Sequence, residues 1–349
     1  MSAAPVSASP AGALRLARVV LVAAEPDRLA GFYRDALGFA DAEAPPDPAS
    51  AGLPVTRTVP LRLGDQRLDL VAVSPAGRPY PGDVPGFIPL FQHCAIIVSD
   101  MAAAHARLSA RPGWRPISTD GPVRLPDSSG GVTAFKFRDP EGHPLEFLAF
   151  PPDATPTAWR RPDAGTPCLG LDHSAISVAD TARSVAFYES LGLRVASRSL
   201  NTGPEQARLD AVADPTVEVT GLGFPDGHPP HVELLCYRGD YPRAASDLAA
   251  NDVAATRLVL EMADGAALRA ACAAHAGRIV SRPVPRPDGG ADALLRDPDG
   301  HLVWLTAGYR VGARQAAGGM TMRGFPPLPA GGERAASPSR WCGKPAGRG

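Results

Sequence analysis

Apolar residues along this chain fall into short runs, none as long as a membrane span, and most alternate with polar positions in the manner of half-buried strands. LARVVLV from Leu16, FQHCAIIV from Phe91, LDHSAISV from Leu171 and TRLVLEM from Thr256 are four such runs, each followed by an acidic or small turn and then by helical spacing. QRLDLVAV from Gln66 and HVELLCY from His231 predict further strands. After the first and third runs the helical segment reaches Phe-Tyr at the same offset and then a Leu-Gly pair, so Gly38 and Gly192 mark helix C-termini.

The similarity between these segments is a repeat. FKFRDPEGHPLEFLAF from Phe135 and LLRDPDGHLVWLTAG from Leu294 add a second shared signature, a strand, an Asp-Pro-x-Gly-His turn and a returning strand. Proline presets that turn and glycine accepts a positive φ, which predicts hairpins. The repeating unit is strand, helix and about three more strands, βαβββ, in four copies over residues 14–78, 88–152, 169–243 and 254–309. The expected division is a disordered N-terminus (1–13), a first domain (14–152), a Pro-rich linker (153–168), a second domain (169–309) and a disordered tail rich in Gly, Pro, Ala and Arg (310–349). The fold class is α+β, with mixed sheets.

Composition narrows the partners. With 349 residues, 44% hydrophobic and 20% charged, and a formal net charge of -1, the chain gives no global reason to bind nucleic acid or an acidic membrane. A small-molecule substrate fits better. Cys94, Cys168, Cys236, Cys272 and Cys342 are odd in number and scattered, and read as reduced thiols. Met1 to Ala13 lacks the basic start and apolar run of a signal peptide, so a cytoplasmic protein is expected, without export or membrane insertion.

A repeated strand-helix-strand-strand-strand unit with FYRDALGF, FYESLGL and DPEGHPLEF at these places resembles the vicinal oxygen chelate superfamily over roughly residues 14–309. That superfamily includes glyoxalase I, methylmalonyl-CoA epimerase, extradiol dioxygenases, fosfomycin-resistance enzymes and metal-free bleomycin-binding proteins. The resemblance implies paired modules whose sheets form a cleft, with metal ligands on the first and last strand of each module. It is specific for the fold and leaves the reaction open.

Carried onto this chain, those positions are Arg18 and Asp69 in the first module, His93 and Glu146 in the second, His173 and Glu233 in the third, and Arg257 and Trp304 in the fourth. Only the two central modules hold a His and Glu pair. If the second module faces the third, one cleft gains two imidazoles and two carboxylates, a set suited to one divalent ion (Zn, Ni, Co, Mn or Fe). The expected metal ligands are therefore His93, Glu146, His173 and Glu233. Their meeting requires the second and third modules to face each other, within one chain or across a homodimer.

Other residues carry weaker signals. Glu146 and Glu233 are single acids in apolar strands, where a lone buried carboxylate is costly. Either is a candidate proton carrier, and His231, two residues before Glu233 on the same strand face, is a candidate acid or base. LNTGPEQARLDAV reads as a polar loop offering Asn201, Gln206 and Arg208 to a substrate, and LPDSSGGVTAFKF places Ser128 to Gly131 before Phe135 and Lys136. His143 and His301, in the Asp-Pro-x-Gly-His turns, read as structural, while His105, His228 and His275 read as surface residues. The expected function is metal-dependent proton transfer through a stabilised enolate, as in glyoxalases or epimerases. An extradiol iron dioxygenase and a metal-free small-molecule binder are the alternatives.

Overall fold

The computed structural model describes residues 12–43, 51–161, 165–242 and 247–308. The expected tail at 310–349, Cys342, and all of the expected N-terminal segment but Gly12 and Ala13 lie outside those residues. Ala13 is not disordered as expected; it opens the first strand and is buried.

The first module consists of β1 (Ala13–Val22), α1 (Pro26–Leu37), β2 (Ala40–Asp41), β3 (Val55–Leu63) and β4 (Gln66–Val73). The second holds β5 (Gln92–Val98), α2 (Met101–Ser109), β6 (Arg115–Pro116), β7 (Val123–Arg124), β8 (Thr133–Arg138) and β9 (Pro144–Ala149). The third holds β10 (Cys168–Ser177), α3 (Thr181–Ser190), β11 (Arg194–Thr202), α4 (Gly203–Asp210), β12 (Thr216–Gly223) and β13 (His231–Tyr237). The fourth holds β14 (Arg257–Met262), α5 (Gly265–Ala274), β15 (Ile279–Pro285), β16 (Ala291–Arg296) and β17 (Leu302–Ala307).

Local chemistry sets the helix ends. The side chains of Asp100, Asp180 and Asp264 accept the amides of Ala103, Arg183 and Ala267, each satisfying a free N–H at a helix start. Gly38 closes α1 in the left-handed region at φ 77, as a helix C-terminus prefers.

The sheets are nested. One runs β15-β16-β17-β14-β1-β4-β3-β2 and joins the first module to the fourth; the other runs β11-β12-β13-β10-β5-β9-β8-β6 and joins the second to the third. In both, the two modules meet through antiparallel first strands, β1 with β14 and β5 with β10. A single hydrophobic core collects the helix-facing side chains of both sheets, including Leu68, Ile96, Phe147, Ile176, Leu234 and Leu260.

The Asp-Pro-x-Gly-His turns cross-brace these sheets. Asp139 accepts the amides of Glu141 and His143 and the hydroxyl of Tyr33, from the first module, at 3.1 Å. Asp297 repeats the pattern with Asp299, His301 and the hydroxyl of Tyr188 at 3.2 Å. His143 Nε2 faces the carbonyls of Val22 and Val253, and His301 Nε2 that of Ser177. Both histidines therefore hold modules together, consistent with a structural role.

The Pro-rich stretch expected as a linker also packs: Trp159 is buried in a small cluster with Ile97 and Leu169. Cys94, Cys168, Cys236 and Cys272 are unpaired and buried. Among the described residues no helix is long and apolar enough to cross a membrane.

Candidate metal centre

Pairing β5 with β10 brings the two His and Glu pairs into one cleft. His93 on β5 is next to Ala175 on β10, and His173 next to Ala95, so the two histidines lie side by side across the antiparallel junction. Parallel neighbours on each flank supply the acids, Glu146 beside Ala95 and Glu233 beside Ala175. Strand alternation sends Cys94, Ile96 and Phe147 to the core and His93 and Glu146 to the opposite face.

The reactive atoms converge. His93 Nε2 lies 3.0 Å from Glu146 Oε2, and His173 Nε2 lies 3.7 Å from Glu146 Oε2 and 3.6 Å from Glu233 Oε2. Ligands each about 2.1 Å from one ion stand about 3.0–3.5 Å from one another, so these spacings suit a shared divalent cation. His93, Glu146 and His173 form a group whose ligand atoms lie within 4.8 Å of one another, and Asp172, His173 and His231 form a second such group. His173 Nδ1–H donates to Asp172 at 3.0 Å, which turns Nε2 toward the acids, a common way of orienting a metal-binding imidazole. On these grounds the residues fit a metal.

Charge tells the same story. Burial would discharge His173, but Glu233, Asp172 and Glu146 outweigh it and hold its pKa well above the ordinary value. Burial would raise Glu233, yet His173 and His231 bring it down to about 2. Burial against a weaker carboxylate influence lowers His93. Three carboxylates, Glu146, Asp172 and Glu233, thus surround His173, an acidic setting that suits a divalent cation.

His231 approaches Glu233 Oε1 at 3.2 Å, and both are open to solvent, with side-chain exposures of 29% and 20%. The expected substrate residues separate into different environments. Lys136, the register partner of Glu146, is in the cleft and pairs with Asp210 at 2.7 Å. Burial opposes its charge, but Asp210 and Glu146 overcome that effect and raise its pKa. Phe135 does not line the cleft: it is 1% exposed in the hydrophobic core against Trp114 and His105, because its neighbour Lys136 takes the cleft face.

The segment expected as a loop at 201–208 contains a strand end and the helix α4. Gln206 is buried there, its amide donating to Asp210 at 2.6 Å, while Arg208 is exposed and Asn201 accepts from Ser129 and Ser199. His228 is exposed, whereas His105 and His275 are half-buried rather than superficial. Asp172, Asp210 and Tyr237, which sequence reasoning did not single out, belong to the site.

The outer sheet carries a different set at the corresponding positions. Arg18 pairs with Asp69 at 2.9 Å and lies 5.0 Å from the Trp304 ring centre. Arg257, whose pKa burial lowers to about 10, donates to the carbonyls of Ala255 and Ala250. Val20, Val71, Val259 and Leu302 fill the same face, and Ala51 packs against them.

A family model described as the Glyoxalase/Bleomycin resistance protein/Dioxygenase superfamily matches residues 15–147 and 170–305. Glyoxalase I from Zea mays is similar in structure, with a TM-score of 0.59 and 18% identity, over 84% of this chain and 92% of that one. A putative dioxygenase from Bacillus subtilis subsp. subtilis str. 168 is similar at TM-score 0.51 and 14% identity, over 86% of each chain. At such identities the likeness concerns the fold. No curated protein sequence gives a significant match.

Proposed function

From the premise that the chain belongs to the glyoxalase/bleomycin resistance protein/dioxygenase superfamily, we propose that it is a divalent-metal enzyme moving a proton on a small oxygenated metabolite in its inner cleft. The observation that supports this reading is the convergence of His93, Glu146, His173 and Glu233 from two facing modules. The outer cleft, with an arginine–aspartate pair at the corresponding place, offers no such donor set.

When bound, the metal supplies Lewis acidity toward neighbouring substrate oxygens and so makes the adjacent C–H acidic. Glu233 is the carboxylate placed to take that proton: it is the more exposed of the two acids and keeps a partner in His231 when it turns from the centre. Glu146 is deeper, held by both His93 and His173, and remains in place. His231, at the solvent edge, passes the proton between Glu233 and water or substrate. Asp172 fixes the ring orientation of His173 throughout.

The deciding experiment is metal analysis of purified wild type beside His93→Ala and Glu233→Ala. About one equivalent in wild type and a large loss in both variants is expected; equal contents in all three would overturn the reading.

A second reading has its own observation. The group His93, Glu146 and His173 contains two histidines and one carboxylate, the ligand composition of many iron oxygenases. Anaerobic loading with ferrous iron followed by oxygen uptake with catechols tests it. Uptake favours ring cleavage, and its absence beside proton-exchange activity with zinc, nickel or cobalt favours proton transfer.

A further inference from the structure

Asp210 places a carboxylate inside the inner cleft although α4, which carries it, is not part of the sheet. Lys136 Nζ donates to it at 2.7 Å, the Tyr237 hydroxyl at 2.8 Å and the Gln206 amide at 2.6 Å. Lys136 is on β8 and Tyr237 on β13, with β9, β5 and β10 between them. On a flat sheet four strand spacings would separate them by about 19 Å. One carboxylate reaches both, so Asp210 bridges the two halves of the inner sheet from α4, which packs against β7, β8 and β11.

The groups that meet there are attached differently. Lys136 and Tyr237 are anchored in strands. Asp210 and Gln206 ride on an eight-residue helix that begins at Gly203, φ +92, ends at Asp210 and is capped by Ala211, a non-glycine residue in the left-handed region at φ +53. That helix docks on the second module through Ser118 Oγ to the Leu209 carbonyl and the Thr119 amide to the Arg208 carbonyl, each at 2.9 Å. The docked pose is incompletely satisfied, because Gln206 Oε1 is buried without a hydrogen-bond partner.

We propose that Lys136 and Tyr237 form a carboxylate-recognition subsite of the inner cleft, and that Asp210 occupies it as a tethered stand-in until a carboxylate-bearing substrate displaces it. The substrate class is then a small oxygenated carboxylic acid, its carboxylate on Lys136 and Tyr237 and its other oxygens toward the histidines. This rests on reading the inner cleft as the reactive site. The ammonium and the phenol both donate, as a carboxylate requires, and ammonium–carboxylate bonds are among the stronger ones proteins make.

The test uses the full-length chain freed of metal, titrated calorimetrically with malonate and with the neutral analogue malonamide. Asp210→Asn removes the internal competitor, so it is expected to bind malonate about tenfold more tightly than wild type or better, and malonamide no more tightly. Lys136→Met/Asp210→Asn, which removes both charges together, is expected to bind neither. Malonate binding unchanged in Asp210→Asn, surviving in the double variant, or matched by malonamide would overturn the proposal. If Asp210→Asn does not fold in plain buffer, refolding with malonate but not malonamide supports it, and no recovery overturns it. Metal uptake by wild type is measured alongside. Normal uptake without any malonate effect sinks the subsite alone, and the malonate effects without uptake sink the metal reading alone.

Discussion

The hydroxyl of Tyr33, in the first module, donates to the carboxylate of Asp139, in the second, at 3.1 Å and out of contact with solvent. The sheets join first to fourth and second to third, so this bond links the two sheets. Burial and the facing Asp139 push the Tyr33 pKa well up, keeping its proton in place. Tyr33→Phe is expected to destabilise the chain by about 1 kcal/mol. Tyr188→Phe, the equivalent change at Asp297, should cost a similar amount, and the two should add because the sites are separate. Urea denaturation of both single variants and the double variant measures this.

The outer cleft provides a contrast between breaking and replacing a buried ion pair. Arg18→Met leaves Asp69 with Arg67, which donates to it at 3.3 Å, as its remaining cation, and is expected to cost about 1–3 kcal/mol. Arg18→Met/Asp69→Leu removes both charges and should recover most of that loss. Metal content should stay at the wild-type level in both variants, since the outer pair is not part of the inner donor set. A double variant as unstable as the single one would show that Asp69 matters in some other way.

His143 predicts a pH dependence. Its Nδ1 faces Asp139 at 2.8 Å and its Nε2 faces two carbonyls, all acceptors, so both ring nitrogens need a proton. Burial disfavours that charged form, but Asp139 more than compensates and raises the pKa above the ordinary 6.5. A raised folded-state value stabilises the protein fully below about pH 6.5 and loses that contribution as pH climbs through the folded value. The stability gap between wild type and His143→Gln should thus be roughly 1–3 kcal/mol at pH 6 and shrink toward alkaline pH. A gap that widens with pH would contradict the assignment.

Chelation should separate the metal from the scaffold. Stripping the metal from wild type is expected to lower its melting temperature by roughly 5–10 °C. His93→Ala should melt at one temperature with or without chelator. Differential scanning calorimetry reads both, and a chelator effect that persists in His93→Ala would place the bound ion elsewhere.

Much of this arrangement was legible in the sequence because it is periodic. The four β-rich runs, the Leu-Gly helix stops and the two Asp-Pro-x-Gly-His turns repeat at matching offsets, and the family resemblance laid on those repeats implies the candidate ligand positions. What escaped was local and aperiodic. Asp172 lies where the register between β10 and β5 shifts, between Leu171 and His173, so simple alternation would have sent it away from His173. Asp210 follows a stretch whose Gly, Pro and polar residues suggest a loop, and its importance depends on a lysine 74 residues earlier. Phe135 was assigned to the substrate along with Lys136, although adjacent strand residues face opposite ways and only one can look into the cleft.

The nested sheet order also bears on how the chain is made. The second and third modules are consecutive and can close the inner sheet as soon as both have emerged from the ribosome. Strand β1 must wait for β14, with Val20 paired to Arg257, and at about 5–20 residues per second the interval is roughly 10–50 s. For that time the first module presents an apolar strand edge without its β14 mate, a hazard for mispairing. A chaperone holding the first module, or transient shelter against the closed inner pair, would matter more here than in a protein whose sheets join neighbours in the order they are translated.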